Sequence, residues 1–147
     1  MKSGDIFLAI LLGLTSNTAM AKPVVTAGIS QADEDQIDRM AEALFSNLRT
    51  KNTDNGIKQF FGSSSLMTSK SDQLKLLVDQ IDSAIGLYGT VGTCENVETT
   101  SEGTLVEYRR YVCQHTNMLT SWNMSFFKTS KGWIAANLYF KDQPPKQ

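Results

Sequence analysis

Residues 94–114 read CENVETTSEGTLVEYRRYVCQ, and this stretch decides the fold. Thr, Val and Tyr, which β-strands favour, occur on both sides of Gly103. Glycine at the first central position is typical of a two-residue type II′ turn, here formed by Gly103 and Thr104. The stretch therefore predicts a β-hairpin with its turn at these two residues.

The register of this hairpin follows from the turn. A turn at Gly103 and Thr104 places Cys94 opposite Cys113. It also places Glu98 opposite a basic residue, Arg109. A register shifted by two residues would instead set two glutamates against each other, and like charges directly opposite destabilise a sheet. The first register accounts for the charges and for the two cysteines of the chain, so we expect a Cys94–Cys113 disulfide.

Alternation along the hairpin separates two faces. Val97, Val106, Tyr108 and Val112 share one face with Glu95 and Arg110, and the other face carries Cys94, Asn96, Glu98, Arg109, Tyr111 and Cys113. We expect the Val/Tyr face to pack on the helices, which would carry Glu95 and Arg110 toward the covered side. There the two charges would form a structural ion pair or a clamp for a ligand.

Alternation with a period of two begins near Tyr88 and continues to the end of the domain. It predicts strands over about 88–99, 104–114, 120–128 and 133–141, joined by short connections. No long loop separates them, so an antiparallel meander is the simplest topology. Trp122, Met124 and Phe126 share one face of the third strand, as core residues do.

Helical periodicity precedes the strands. Apolar residues at spacings of three and four predict a helix from about 30 to 50, a short second helix around Ile57, and a third that begins at Ser71 and stops at Gly86. Helices followed by strands indicate the α+β class, with the helices packed on an antiparallel sheet of about four strands.

The first 21 residues predict a secretory signal peptide. Lys2 precedes a short apolar run, and the small residues Ala19 and Ala21 stand where signal peptidase cleaves. The run is too short for a membrane anchor, so we expect no membrane span after cleavage. The predicted organisation is a signal peptide over 1–21, a leader over 22–29, one domain over 30–141 and a tail over 142–147. We expect an exported protein, most simply periplasmic, with secretion left open; the disulfide fits an oxidising compartment.

Composition excludes several classes of function. The 14 basic and 15 acidic side chains give a net charge of −1, whereas a nucleic-acid binder shows a basic stripe. The two cysteines do not form a CxxC motif, and with one histidine they supply too few ligands for zinc. We therefore expect no nucleic-acid partner, no metal and no cofactor.

The final hairpin carries a family resemblance. Trp122-Asn-Met-Ser-Phe-Phe-Lys128, a turn, and Lys131-Gly132-Trp133-Ile134 close the domain. Over about 30–141 the chain resembles the cone-shaped domains of nuclear transport factor 2-like and ketosteroid-isomerase-like proteins, in particular small exported members without an assigned function. The resemblance implies a curved sheet and a pocket between the sheet and the first helices, but such a fold serves many functions.

Three hypotheses about function follow. The favoured one is a non-enzymatic exported domain that binds a small apolar ligand or a protein partner, with its pocket lined by Glu95, Tyr108, Arg110, Tyr88 and Trp122. The second is an enzyme of the isomerase or dehydratase type, for which Asp82 is the nearest candidate base. The third is an assembly subunit of an envelope or secretion complex.

Two further expectations concern the surface. The architecture is compatible with a homodimer through the outer face of the sheet, with Tyr111 and Phe127 as candidate contacts. The only histidine of the chain, His115, is expected in an exposed loop, without a catalytic partner.

Overall fold

The computed structural model of the protein describes residues 28–143. The predicted signal peptide, most of the predicted leader and the end of the predicted tail lie outside this range. Four helices precede four strands: α1 (Gln31–Arg49), α2 (Thr53–Phe61), α3 (Ser65–Thr68), α4 (Ser71–Tyr88), β1 (Cys94–Glu102), β2 (Val106–Gln114), β3 (Leu119–Thr129) and β4 (Gly132–Asp142). The expected α+β class is confirmed.

Local sequence explains where two of the helices, α1 and α3, begin. The Ser30 side chain accepts a hydrogen bond from the Asp33 backbone N–H at 3.2 Å, and Ser64 caps the single-turn helix α3 in the same way through Met67. The third predicted helix runs on to Tyr88 and ends where Gly89 adopts a φ of +96°, a conformation that favours glycine. The first strand therefore begins at Cys94 rather than near Tyr88.

The strands form one antiparallel sheet in the order β1-β2-β3-β4, which is the expected meander. Its core joins α1 and α2 to one face of the sheet. The fully buried large side chains include Phe45 of α1, Phe61 of α2, Trp122 and Phe126 of β3, and Trp133 of β4. α1 and α2 both contact β4, whereas the main packing partner of α4 is α2.

The register of the first hairpin confirms one expectation and corrects another. Cys94 pairs with Cys113, as expected. Toward the turn, however, the register shifts at a bulge between Asn96 and Glu98, so Glu98 pairs with Arg110 and not with Arg109. The turn itself holds three residues, 103–105, instead of two. The extra turn residue is offset by the bulge, which restores the expected pairing at the cysteines.

The disulfide between Cys94 and Cys113 ties β1 to β2, and the two cysteines are 19 positions apart in sequence. Closing a loop of this length removes entropy from the unfolded chain and stabilises the fold by about 3 kcal/mol. The double variant Cys94→Ala/Cys113→Ala should therefore unfold in urea with a free energy lower by about that amount. The reduced natural chain should match the variant; equal stability of the oxidised chain and the variant would contradict this role.

Within residues 28–143, the helices are too short or too polar to cross a membrane.

Candidate functional site: the outer sheet face

The face of β2 that packs on the helices is the opposite of the one predicted from the sequence. The side that packs toward the helices carries Glu107, Arg109, Tyr111 and Cys113, all of them buried. Val106, Tyr108, Arg110 and Val112 lie on the opposite side, where Tyr108 is exposed to 38%. The expectations that Tyr108 and Arg110 lie under the helices, and that Tyr111 lies outside, are therefore wrong.

A buried ion cluster explains why the charged side of β2 faces inward. The Arg109 guanidinium donates to Glu107, to Glu34 and Asp38 of α1, and at 3.1 Å to the Tyr111 hydroxyl. Arg109 is 4% exposed and Glu107 is fully buried. Buried charges persist in proteins when they are paired in this way. The cluster fastens the first half of α1 to the middle of the sheet.

The same cluster sets opposing pKa shifts. Burial lowers the pKa of Arg109, but its hydrogen bonds to Tyr111, Asp38 and Glu107 raise that pKa by more than burial lowers it. The guanidinium therefore stays charged. Burial raises the pKa of Glu107, against the lowering effect of Arg109. Glu107 thus has the raised pKa that an acid-base catalyst would need, yet it is fully buried, and one of its oxygens, Oε2, is buried without a hydrogen-bond partner in the described chain.

Core side chains occupy the space between sheet and helices. The Phe45 ring meets the Tyr111 and Trp122 rings edge-on, with centroids 5.1 and 5.8 Å apart, and Phe60 contacts Phe126 in the same manner. Protein interiors are close-packed, and side chains in mutual contact leave little room for a ligand. The position that the resemblance implied for a pocket is therefore filled by side chains.

The side of the sheet turned away from the helices, here called the outer sheet face, holds the candidate site. Its members on β2, β3 and β4 are Val106, Tyr108, Arg110 and Val112 of β2, Ser121, Asn123, Ser125 and Phe127 of β3, and Ile134, Asn137, Tyr139 and Lys141 of β4. Strand pairing arranges them in rows that cross the sheet, spaced by about 7 Å along the strands. One end is apolar, with Val106, Phe127 and Ile134 in a single row.

Two neighbouring rows enclose a cleft of about 260 Å³. Its floor is formed by the short side chains of Asn123 and Ser125 on the central strand β3. Tyr108 on β2 and Tyr139 on β4 stand at diagonal corners, because Tyr108 pairs with Ser125 and Tyr139 pairs with Asn123. Since strands lie about 4.8 Å apart, the β2 and β4 walls are separated by about 10 Å.

The polar groups of the cleft are available for a partner. Arg110 is paired with Glu98 at 3.2 Å, but both side chains are substantially exposed, and such surface pairs contribute little. The Tyr108 hydroxyl donates to Glu102 at 3.3 Å. The Nδ2 of Asn123 is buried and has no hydrogen-bond partner in the described chain. An unsatisfied amide in a folded protein calls for an explanation, and a bound partner is one.

Of the five residues expected to line a pocket, two come together in the cleft and three do not. Tyr108 and Arg110 lie in the cleft, on the outer face instead of the covered one. Glu95 pairs with Val112 and is exposed, so the expected Glu95–Arg110 ion pair is replaced by Glu98–Arg110. Tyr88 ends α4, and its hydroxyl donates to Asp142, while Trp122 is 1% exposed in the core.

His115 is buried, which the sequence did not indicate. Its Nδ1 lies 2.9 Å from the Gly89 carbonyl and its Nε2 lies 2.8 Å from the Thr120 hydroxyl. These contacts join the β2–β3 connection to the segment that follows α4, a structural role. Asp82, the candidate base, is exposed and accepts a hydrogen bond from Thr53. Among residues 28–143, no group of three or more His, Cys, Asp or Glu side chains is arranged to hold a metal ion.

Comparison of this chain with protein-family models, with curated proteins and with solved structures found no match.

Proposed function

We propose that this chain is an exported, non-enzymatic interaction domain that binds a protein partner on its outer sheet face. The observation that carries the proposal is the cleft between Tyr108 and Tyr139, floored by Asn123 and Ser125 and flanked by Arg110. Tyrosine and arginine are enriched among the residues that dominate binding at protein interfaces. Asparagine and serine supply adaptable hydrogen bonds, as they do in antibody binding sites.

The size of the cleft favours a protein over a small molecule. Ligand pockets commonly enclose about 300–1,000 Å³. A cleft of about 260 Å³ instead suits one anchoring side chain of a partner. The apolar row of Val106, Phe127 and Ile134 would extend the contact beyond the cleft.

The area of the outer sheet face suits a contact of modest size. Four strands at about 4.8 Å spacing and about nine residues at 3.3 Å each give a surface of roughly 20 by 30 Å. A partner covering it would bury roughly 1,000–1,200 Å² in total, near the lower end of specific interfaces. We therefore expect the complex with the partner to be reversible rather than obligate.

Export is part of the proposal. It rests on the predicted signal peptide, and the Cys94–Cys113 disulfide supports it weakly, because disulfides persist in oxidising compartments. The mature chain purified from its host should begin at Lys22. A chain that retains Met1 and stays in the cytoplasm would contradict this part.

Site-specific photo-crosslinking tests the binding surface. A photoreactive phenylalanine replaces Tyr139 or Phe127, which are 48% and 42% exposed, in the full chain made in its native host. The matched control carries the same group at Leu87, which is 71% exposed on α4. We expect a discrete protein adduct from the two outer positions and none from Leu87. The added substitution Tyr108→Ala should reduce the adduct at least fivefold.

The mass of the adduct distinguishes the partner. A mass equal to two copies of this chain would identify a homodimer and replace the proposed partner with a second copy. Adducts of equal intensity at all three positions, or none on the outer face, would overturn the proposed surface.

A further inference from the structure

A second cavity, separate from the outer sheet face, lies between α2 and α4. It encloses about 490 Å³, within the range of small-molecule pockets. Its apolar lining comes from Ile57 of α2 and from Leu74 and Val78 of α4. Leu74 is half-buried, whereas Ile57 is 1% exposed and forms the inner wall. The cavity, here called the α2–α4 groove, thus offers an apolar surface to a ligand.

Two cations stand at the edge of the groove. Lys58 and Lys75 both line it, one on each helix; the Asp54 carboxylate of α2 lines it as well, so the lining keeps a net charge of +1. Lys58 is paired with Asp54 at 2.7 Å and Lys75 with Asp79 at 3.0 Å, and all four side chains are more than half exposed. Exposed pairs at this spacing contribute only a few tenths of a kcal/mol, so either ammonium can turn to a ligand at small cost.

The groove lies beside the start of α4. Ser71, Leu74 and Lys75, all from the first two turns of α4, belong to its lining. The first turn already holds the acidic Asp72, so the preference for an anionic head group rests on Lys58 and Lys75. An apolar lining beside two lysines matches a ligand with one aliphatic chain and one anionic head group.

We propose that the α2–α4 groove binds a free fatty acid, with the alkyl chain against Ile57, Leu74 and Val78 and the carboxylate at Lys58 and Lys75. This site does not depend on the outer sheet face, so either proposal can fail alone. A fatty acid is favoured over a neutral or cationic amphiphile by the two lysines, and over a polar metabolite by the three apolar side chains.

Calorimetric titration of the mature chain with hexanoate, octanoate and decanoate, below their micelle concentrations, tests the alkyl part. Each added pair of methylenes should tighten binding by about 14-fold, since one buried methylene is equivalent to nearly a fourfold change in affinity. Leu74→Gln should weaken decanoate binding at least tenfold. Leu76→Gln, on the 58% exposed leucine of the same helix that lies outside the lining, should leave it unchanged.

The head group is tested with ligands of equal chain length. Decanoate should bind at least tenfold more tightly than decyltrimethylammonium, and Lys58→Gln/Lys75→Gln should remove this preference while leaving the binding of neutral decanol unchanged. No saturable decanoate binding, an unchanged affinity in Leu74→Gln, or equal binding of the anionic and cationic ligands would overturn the proposal. Far-ultraviolet circular dichroism shows whether each variant is folded.

Discussion

Arg109→Met is expected to lower the free energy of unfolding by about 3–5 kcal/mol, the usual cost of leaving one member of a buried ion pair without its partner. Arg109 is 4% exposed and holds Glu107, which has no contact with solvent, together with Glu34 and Asp38 of α1. Methionine fills similar space but leaves the Glu107 carboxylate unpaired. Since small domains unfold with about 5–15 kcal/mol, urea denaturation should show a large fall in the midpoint.

The control is the double variant Glu107→Leu/Arg109→Met, which removes both buried charges. It should recover most of the lost stability, because replacing a buried ion pair with apolar side chains is often neutral. A loss below 1 kcal/mol in Arg109→Met alone would contradict the structural role of the cluster.

The loss in Arg109→Met should also depend on pH. Burial raises the pKa of Glu107 above its ordinary value of 4.5, so its contribution to stability is full below 4.5 and is lost as pH rises through the raised value. In Arg109→Met, nothing lowers the pKa of Glu107, so the variant loses more stability than the natural chain as the pH rises. The difference between the natural chain and the variant should therefore be larger at pH 8 than at pH 5.

Trp122→Ala should cost about 3–5 kcal/mol, because it removes the central large side chain of the core. The Trp122 indole stacks on Phe140 with centroids 4.7 Å apart and meets Phe45 edge-on. Its Nε1 donates to the Thr120 hydroxyl at 2.8 Å. Truncation leaves a cavity beside Phe45 and Phe140 and removes one hydrogen bond to the Thr120 hydroxyl, and thermal or urea denaturation measures the loss.

Trp122→Phe keeps an aromatic ring and gives up the hydrogen bond and part of the volume, so we expect a loss of about 1–2 kcal/mol. The losses of stability in Trp122→Ala and Trp122→Phe show whether Trp122 is a core residue or part of a ligand site. If Trp122→Ala were as stable as the natural chain and lost only the capacity to bind a ligand, Trp122 would be a pocket residue as first expected.

Most of the architecture could be predicted from local patterns. Spacings of three and four between apolar residues predicted three of the four helices, and the alternation after Tyr88 predicted four strands in a meander. The end of α4 was set too early because Gly86 does not stop it; Gly89, with its positive φ, follows the last helical residue. The hairpin turn was misjudged by one residue, since nothing local indicates that a bulge offsets it.

The choice of faces failed for a physical reason. Hydropathy alone turns Val106, Tyr108 and Val112 inward and Arg109 outward. The alternative requires the carboxylates of Glu34 and Asp38, more than 70 residues away in sequence, to neutralise Arg109. One signal was available: Trp122, Met124 and Phe126 share a core face, and their partners across the ladder are Tyr111, Arg109 and Glu107.

The reversed faces of β2 also explain why the candidate site lies on the outer sheet face. Tyr108 and Arg110, two of the five residues predicted to line a pocket, do lie together, but Tyr139 and Asn123 complete their cleft from β4 and β3. Pairing across three strands brings these residues together, and the first hairpin alone cannot indicate it. Phe127, expected on the outer face, does lie there with 42% of its surface exposed.

The proposed binding surface is tested most directly by hydroxyl-radical footprinting of the chain in the intact envelope of its host, compared with the purified chain. If a protein partner covers the outer sheet face, the modification rates of Tyr108, Phe127 and Tyr139 should fall at least threefold in the envelope, while those of Leu66 and Leu87 on the helices stay the same. Unchanged rates at the three aromatic residues, or protection confined to the two leucines, would contradict it.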